Sequence, residues 1–489
     1  MDFTENIYAF SAPDRIGVVL PKIDVPLSEF PEQEYLRENL DLPEVSEIDV
    51  CRHFTALSKL NFSVDTNFYP LGSCTMKYNP KVNEAATQLS GFNNLHPLAH
   101  ENDTTGALEM MAKLAEMLKS VGGFSHITLQ PAAGAAGEFV GVLMMREYME
   151  KRGEEKRKVL LIPDTAHGTN PASASMCGLA TMEVASDERG NVDLDDLRAK
   201  VTECGDTLLG LMLTNPNTLG LYEENLQCVT DIIHAAGGLV YGDGANFNAL
   251  LGVSKPGLMG FDVMHYNLHK TFATPHGGGG PGAGAILVND TLKDFLPSPI
   301  VVRDESGKAI FATPSKSIGQ TKLFYGNFGV MLRAYVYMRI LGEEGLSEIG
   351  KNAVLNANYL QTLLKKWYNI PYGNRCCMHE FVATGDVAEG VHTLDIAKAM
   401  IDEGVHPPTI YFPLIVKEAM MIEPTETESL KTLDEFVAVL ENIAKMAHED
   451  SDALHVAPKT TAVSRPDEVK AARDMILTFK RERDEEIKS

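Results

Sequence analysis

"GLVYGDGANFNALLGVSKPGLMGFDVMHYNLHKTF", residues 238–272, holds two apolar runs that each end on a residue able to do chemistry. "GLVYGD" (238–243) reads as a strand closing on Asp243. "FDVMHY" (261–266) reads as a second strand running into His269 and Lys270. Both are apolar on consecutive positions, as strands covered on both faces must be. The chain between Asp243 and Lys270 is long enough for one helical crossover joining two parallel strands.

Working outward, the same texture repeats. "HITLQ" (126–130), "VLLIP" (159–163), "TMEVA" (181–185), "LLGLMLT" (208–214) and "GAILV" (284–288) bring the number of expected strands to seven. Segments 135–152 and 222–236 supply covering helices. Strands alternating with helices predict an α/β fold built on a mostly parallel sheet. This large domain is placed at 91–327. Residues 1–90, rich in proline and polar residues, lack sustained periodicity and read as an extended arm with short helices, wrapped on a body or a partner. "FGVMLRAYVYMRILG" (328–342) predicts an amphipathic helix capped by Gly342. A helix near 346–367, a strand at 379–384, a helix at 393–403, a strand at 419–424 and a helix over 428–446 follow. They predict a smaller α+β domain at 328–460. Thr425 and Glu428 have capping-box spacing for its last helix. The stretch 461–489 ends in a mixed charge run, read as a solvated helical tail.

The chain has 489 residues and a net charge of −24, so two or three domains are expected and nucleic acid is a poor partner. Any anionic ligand needs local help from backbone N–H groups or a helix N-terminus. No apolar run approaches a membrane span, and "MDFTENIYAF" lacks a signal peptide's basic start and apolar core. Seven cysteines without C-x-x-C spacing argue against a disulfide framework or structural zinc and for a reducing cytoplasm. Cys376 and Cys377 read as small buried apolar residues.

Ligands of open α/β sheets bind at the carboxyl ends of strands. After "HITLQ" comes "PAAGAAGEF", where Gly134 and Gly137 open a helix. Phosphate binding at the helix N-terminus and tight helix–strand packing both fit. After "VLLIP" comes His167, either a satisfied structural histidine or a flat ring able to stack on a planar ligand. After "LLGLMLT" comes "NPNTLG" with Thr218, where turn chemistry suffices and ligand contact is the lesser reading. Asp243 ends a buried strand, which is costly unless a cation or a hydrogen-bond donor repays it. Lys270 precedes a glycine loop that brings backbone close to a ligand or partner. A nucleotide P-loop fails on order, because the lysine comes before the glycines. One ligand uses the whole constellation. Pyridoxal phosphate has a phosphate, a flat ring, a ring nitrogen and an aldehyde, for which an acidic partner and a Schiff-base lysine are the expected handles.

"LGSCTMKYNP" (71–80), "LQPAAGAAGE" (129–138), "PDTAHGTNPASA" (163–174), "YGDGANFNALLG" (241–252), "HKTFATPHGGGGPG" (269–282), "FYGNFG" (324–329) and "MIEPTETES" (421–429) together resemble the glycine-cleavage P-protein family, in order and over nearly the whole chain. That family exists as one long chain or as two subunits, and this chain resembles subunit 2 of the two-subunit type. The resemblance implies PLP-dependent fold type I, aspartate aminotransferase-like: a seven-stranded, mostly parallel large domain plus a smaller α+β C-terminal domain. It implies a pyridoxal 5'-phosphate held covalently on Lys270, Asp243 at the ring nitrogen and His167 stacked on the ring. Gly134, Ala135 and Ala136 would offer N–H groups to the phosphate. Members of the family often carry a polar side chain where Ala136 stands, so a side-chain contact to the phosphate there is lost or made elsewhere, while backbone donors would survive. Thr218 and His269 would line the site, with Lys270 and a nearby histidine, His167 or His269, carrying protons. No metal is implied. "LGSCTMKY" belongs near the active site in that family, so the arm is expected to fold back over the pocket, with Cys74 either structural or reactive. The implied activity is glycine decarboxylation with transfer of the aminomethyl group to the lipoyl arm of the H-protein, in a heterotetramer with two copies of P-protein subunit 1. Another fold-type I enzyme (an aminotransferase or amino-acid decarboxylase) and a non-catalytic scaffold subunit remain the alternatives.

Overall fold

The computed structural model describes residues 2–37, 40, 42–276, 282–475 and 477. Gly277–Pro281 of the glycine loop and the charged run 479–489 lie outside the described residues. Two compact units divide the chain, Met1–Thr66 and Asn67–Ser489. In the first, short 3-10 turns at Ile7–Phe10 and Gln33–Tyr35 precede one helix, Glu47–Lys59. Ser46 caps that helix by accepting the Asp49 N–H. Phe3 and Phe10 stack at 5.4 Å, and the His53 ring meets the Phe3 carbonyl.

The second unit is built on seven strands: β1 (His126–Thr128), β2 (Val159–Pro163), β3 (Ala180–Val184), β4 (Leu208–Thr214), β5 (Leu239–Gly244), β6 (Val263–Asn267) and β7 (Gly284–Val288). All seven expected strands are present. Their spatial order is β1-β7-β6-β5-β4-β2-β3, with β7 antiparallel to both neighbours and the other pairings parallel. Alternate residues of the inner strands enter opposite cores. Leu160, Ile162, Met212 and Tyr241 pack with Val140, Met144 and Met145 of the helix Gly134–Lys151. Leu161, Leu211, Val240 and Met264 pack on the other face against Leu114, Leu118, Val229 and Met331. Burying each such side chain contributes about 1.5–3 kcal/mol, which explains why the apolar runs dominate the sequence signal.

The helix Gly134–Lys151 lies unusually close to the sheet. A Cβ added at Gly137 would stand 3.1 Å from the His265 side chain, and one at Gly141 only 2.4 Å from the Tyr241 ring. The packing role foreseen for Gly137 therefore applies, Gly141 shares it, and it leaves the helix N-terminus beside β6. No α-helix joins β5 to β6, contrary to expectation. The connection is a series of turns with one 3-10 turn, Pro256–Leu258. Gly252, at φ 69°, and Pro256 interrupt any continuous helical backbone there.

A hairpin of β8 (Ile300–Arg303) and β9 (Ala309–Ala312) follows. The helix Phe328–Leu364 is broken at Gly342, whose φ is 65°, so the foreseen stop is real although hydrogen-bonded turns resume at once. β10 (Phe381–Thr384), β11 (Thr409–Ile410) and β12 (Ala419–Ile422) form an antiparallel sheet in the order β10-β12-β11. It shares a core with the helices Thr393–Asp402 and Leu430–Glu449. The last helix is not capped by Thr425. Ser429 accepts the Thr432 N–H instead, and Thr425 sits at φ 61° one turn earlier. Glu428 is pushed up to about 7 by burial, not engaged as a cap partner. Cys377 is buried as expected, but Cys376 is exposed. No described helix is long and apolar enough to cross a membrane.

Candidate active site

Sheet register assembles the site. Thr214 pairs with Asp243 across β4 and β5, and Asp243 pairs with His265 across β5 and β6. Three polar residues thus stand side by side at the carboxyl edge of the parallel strands. Immediately past β6 a single helical turn, Leu268–Thr271, carries His269 and Lys270. Around these residues opens a cleft of about 230 Å³. Lys270, Asp243, His167, His269, Thr218, Gly134 and Ala135 all line it. Ala136, on the same helical turn, does not.

Asp243 is 4% exposed. Its Oδ2 accepts from Asn170 Nδ2 at 2.9 Å and its Oδ1 from the Ala245 N–H at 3.0 Å; His265 Nε2 stands 3.4 Å from Oδ1. Burial pushes this carboxyl up, but the His265 imidazole, the two donors and the Lys270 ammonium outweigh it and hold Asp243 below the usual carboxylate range. It is therefore an anion at neutral pH. His265 is itself fixed by the Tyr241 hydroxyl at 2.8 Å.

His167 is exposed at the cleft edge, tilted against Phe412 with ring centroids 5.3 Å apart. The Thr169 N–H donates to its Nδ1, and the Thr169 hydroxyl donates to the buried Glu138. Thr218 spends its hydroxyl on the Thr165 carbonyl at 2.5 Å, so it braces the loop that carries His167. Burial, together with the Lys270 charge and His276, pushes His269 down to about 4, leaving it neutral near pH 7. Lys270 Nζ donates to the Ser73 carbonyl at 2.6 Å. The segment 71–75 thus does reach the pocket, as the resemblance implied. Burial raises the Cys74 thiol in that segment, which disfavours the reactive thiolate.

Sequence reasoning missed several neighbours. Ser73, Glu138, Thr169, Asn246, Asn267, His379 and Glu380 also line the cleft. His379 is buried between two carboxylates. Burial pushes its imidazole down, yet Glu380 and Glu423 together hold it above the ordinary range. Thr169 gave a local signal, two residues past His167 at the same strand end, as did Asn170, which holds Asp243.

The donor set fits pyridoxal phosphate on three counts. The helix Gly134–Lys151 has no side-chain cap, and among the described residues the N–H groups of Gly134, Ala135 and Ala136 take no partner. Three open donors at a positive dipole end suit a phosphate. Asn267 Oδ1 and Thr214 Oγ1, at the cleft wall, also lack hydrogen-bond partners. An anionic carboxylate and a primary amine share the same small volume. Fold and cleft together define the class: the type I fold of pyridoxal-phosphate enzymes.

Comparisons with known proteins carry this further. A family model described as "Glycine dehydrogenase, C-terminal domain" matches residues 349–463. A probable glycine dehydrogenase (decarboxylating) subunit 2 from Alkaliphilus oremlandii is 52% identical over 98% of this chain and 99% of its own. Proteins of the same description from Bacillus velezensis (50%, covering 97% of each chain) and Chlorobium chlorochromatii (52%, covering 96% and 98%) are also similar. The chain belongs to the glycine dehydrogenase (decarboxylating) subunit 2 family. Among solved structures, an inhibitor-bound glycine decarboxylase (P-protein) of the glycine cleavage system superposes with a TM-score of 0.71 at 21% identity, covering 84% of this chain and 93% of that one. A glutamate decarboxylase from Lactobacillus brevis gives 0.65 at 13% identity, covering 86% and 96%. At such identities the likeness is one of fold.

Proposed function

We propose that this chain is the lysine-bearing subunit of a glycine-cleavage P-protein, a pyridoxal-phosphate-dependent glycine dehydrogenase. It decarboxylates glycine and passes the aminomethyl group to the lipoyl arm of an H-protein. The observation that carries the reading is the meeting of Lys270 and an ionised, buried Asp243 in one cleft, beside an uncapped helix N-terminus.

In this reading the N–H groups of Gly134, Ala135 and Ala136 hold the phosphate. Asp243 would hold the ring nitrogen, His167 would cover the ring and Lys270 would be the covalent anchor. When bound, pyridoxal phosphate supplies a sink for the electron pair left on the substrate's α-carbon as CO2 departs. Asp243 favours that sink because its charge stays fixed: Asn170, Ala245 and His265 leave it little reason to take up a proton. The Lys270 amine, beside the reacting carbon in this reading, would also serve as a proton carrier. His269, neutral near pH 7, can accept a proton but is a weak base. In the net transfer the carbon–carboxylate bond of glycine breaks and a carbon–sulfur bond forms. The bonding pair reduces the lipoyl disulfide, and its second sulfur leaves as a thiol.

The name "subunit 2" carried by the relatives implies a subunit 1 as partner. A heterotetramer with two copies of each, acting in the cytoplasm on a lipoylated H-protein, completes the proposal. Replacing Lys270 with Ala tests it. Exchange of labelled bicarbonate into glycine is expected to vanish together with the visible absorbance of the holo complex. Exchange at the wild-type rate refutes it.

A further inference from the structure

Lys270 is held by a distant piece of chain, not by its own strand. The Ser73 carbonyl that accepts its amine lies 197 residues earlier in the sequence. The backbone there is strained: Ser73 has φ 65° and Thr75 φ 53°, in the left-handed region that favours glycine. Such conformations persist only where the surroundings over-determine them. Here two buried carboxylates from the C-terminal sheet do so. Glu423 accepts both the N–H (3.0 Å) and the hydroxyl (2.8 Å) of Thr75. Glu380 Oε2 accepts the Ser73 N–H at 2.7 Å, while its Oε1 stands 3.4 Å from His379 Nε2. Gly72 on one side is also pinned, donating to the Met421 carbonyl at 3.2 Å and accepting from the Thr409 hydroxyl at 2.7 Å. The peptide that carries the Ser73 carbonyl is tied through its own N–H, that of Cys74, which donates to the Leu71 carbonyl at 3.3 Å. The preceding peptide is tied through the Ser73 N–H to Glu380, so the two fastenings together fix the conformation of Ser73.

We propose that Glu380 is a positioning residue for the cofactor-bearing amine. By gripping the Ser73 N–H it holds Ser73 in its left-handed conformation, and that conformation sets where the Ser73 carbonyl, on the following peptide, meets the Lys270 amine in the cleft. The inference rests on the reading of Lys270 as the cofactor lysine. A carboxylate 3% exposed and set at the cleft wall thus divides its two oxygens between the Ser73 N–H and the buried His379 ring. The segment 71–75 contributes no cofactor handle of its own in this scheme. It acts as a strut between the β10–β12 sheet and the lysine.

The test uses the assembled complex of this chain with its partner subunit, stripped of cofactor and mixed with pyridoxal phosphate over a concentration series. Growth of the visible absorbance gives a saturation constant, which reports non-covalent binding, and a limiting rate, which reports covalent capture by the amine. For Glu380→Ala the limiting rate is expected to fall about tenfold or more, with the saturation constant within about twofold of wild type. Glu380→Gln, whose amide oxygen still accepts the Ser73 N–H, is expected to retain the limiting rate within about threefold. An unchanged rate in Glu380→Ala overturns the proposal. So does a loss confined to the saturation constant, or a Gln variant as slow as the Ala variant. Should Glu380→Ala fail to fold, Glu380→Asp withdraws the oxygen from Ser73 while keeping the charge, and an undiminished rate there is equally fatal. Lys270→Ala, run alongside, separates the two readings. Capture by that variant sinks the assignment of Lys270 itself, whereas no capture by Lys270→Ala with full speed in Glu380→Ala sinks only the positioning role.

Discussion

Asp243→Asn separates chemistry from scaffolding. The two side chains have nearly the same shape, so the sheet edge keeps its packing. Two things change. The amide can accept on one side only, so one donor among Asn170 Nδ2 and the Ala245 N–H loses its acceptor. Leaving one buried donor unpaired costs about 1–3 kcal/mol of stability. The second change belongs to the proposed holo site, in which a cationic ring nitrogen would lose its counter-charge. Removing one partner of a buried charge pair costs about 3–5 kcal/mol. At about 1.4 kcal/mol per tenfold, that is a loss of roughly 10²–10⁴ in glycine–bicarbonate exchange. The variant is thus expected to lose far more activity than stability. The acid limb offers a check on sign. Asp243 is held below its unfolded value near ~4, so its stabilisation is present above that pH and lost as pH falls through the lower folded value. The Asn variant is expected to lack this part of the acid transition. The assays are the exchange rate at saturating glycine and urea unfolding at several pH values. Exchange within about threefold of wild type would refute the reasoning.

Three further outcomes follow from the buried groups. His269, depressed to about 4 by burial and by Lys270, takes up its proton later in the folded chain than in the unfolded one, so stability is expected to fall by up to about 3 kcal/mol between pH ~6.5 and ~4; urea melts of His269→Asn should show a flatter slope there. Lys77 is fully buried with its Nζ 2.9 Å from Glu426, 2.9 Å from Asn248 and 3.1 Å from Tyr337. Lys77→Met strands Glu426 and is expected to cost about 3–5 kcal/mol, much of it recovered in the double variant with Glu426→Gln, as measured by denaturant unfolding. Gly141→Ala places a Cβ 2.4 Å from the Tyr241 ring and is expected to destabilise by about 1–3 kcal/mol, read as a lowered melting temperature.

The sheet was legible because its physics is local. A strand buried on both faces reads as a run of apolar residues, as β2 and β4 do, and all seven expected runs became strands, including the largely exposed edge strand β3. That Lys270 and Asp243 meet in one cleft was legible because both stand at strand ends of the same sheet. Contacts made across long sequence separations left no trace. Ser73 gives no hint that its carbonyl meets Lys270, and His265 sits inside an apolar run where it reads as filler. Glu138 and Glu380 look like ordinary helix and strand-edge acids until the fold buries them. Two local readings failed for tertiary reasons. Thr425 has the spacing of a cap, but its left-handed backbone, with the side chain turned to Thr427, hands the cap to Ser429. The β5–β6 crossover had length enough for a helix, but its Gly and Pro residues rule one out. The hairpin β8–β9 was passed over because its strands are only four residues each and half-buried.

The most direct measurement is borohydride reduction of the holo complex, followed by proteolysis and mass spectrometry. The account predicts that the reduced pyridoxyl phosphate adduct sits on the peptide containing Lys270, and that Lys270→Ala carries none. An adduct on any other lysine, or a wild-type holo complex with none, would contradict it.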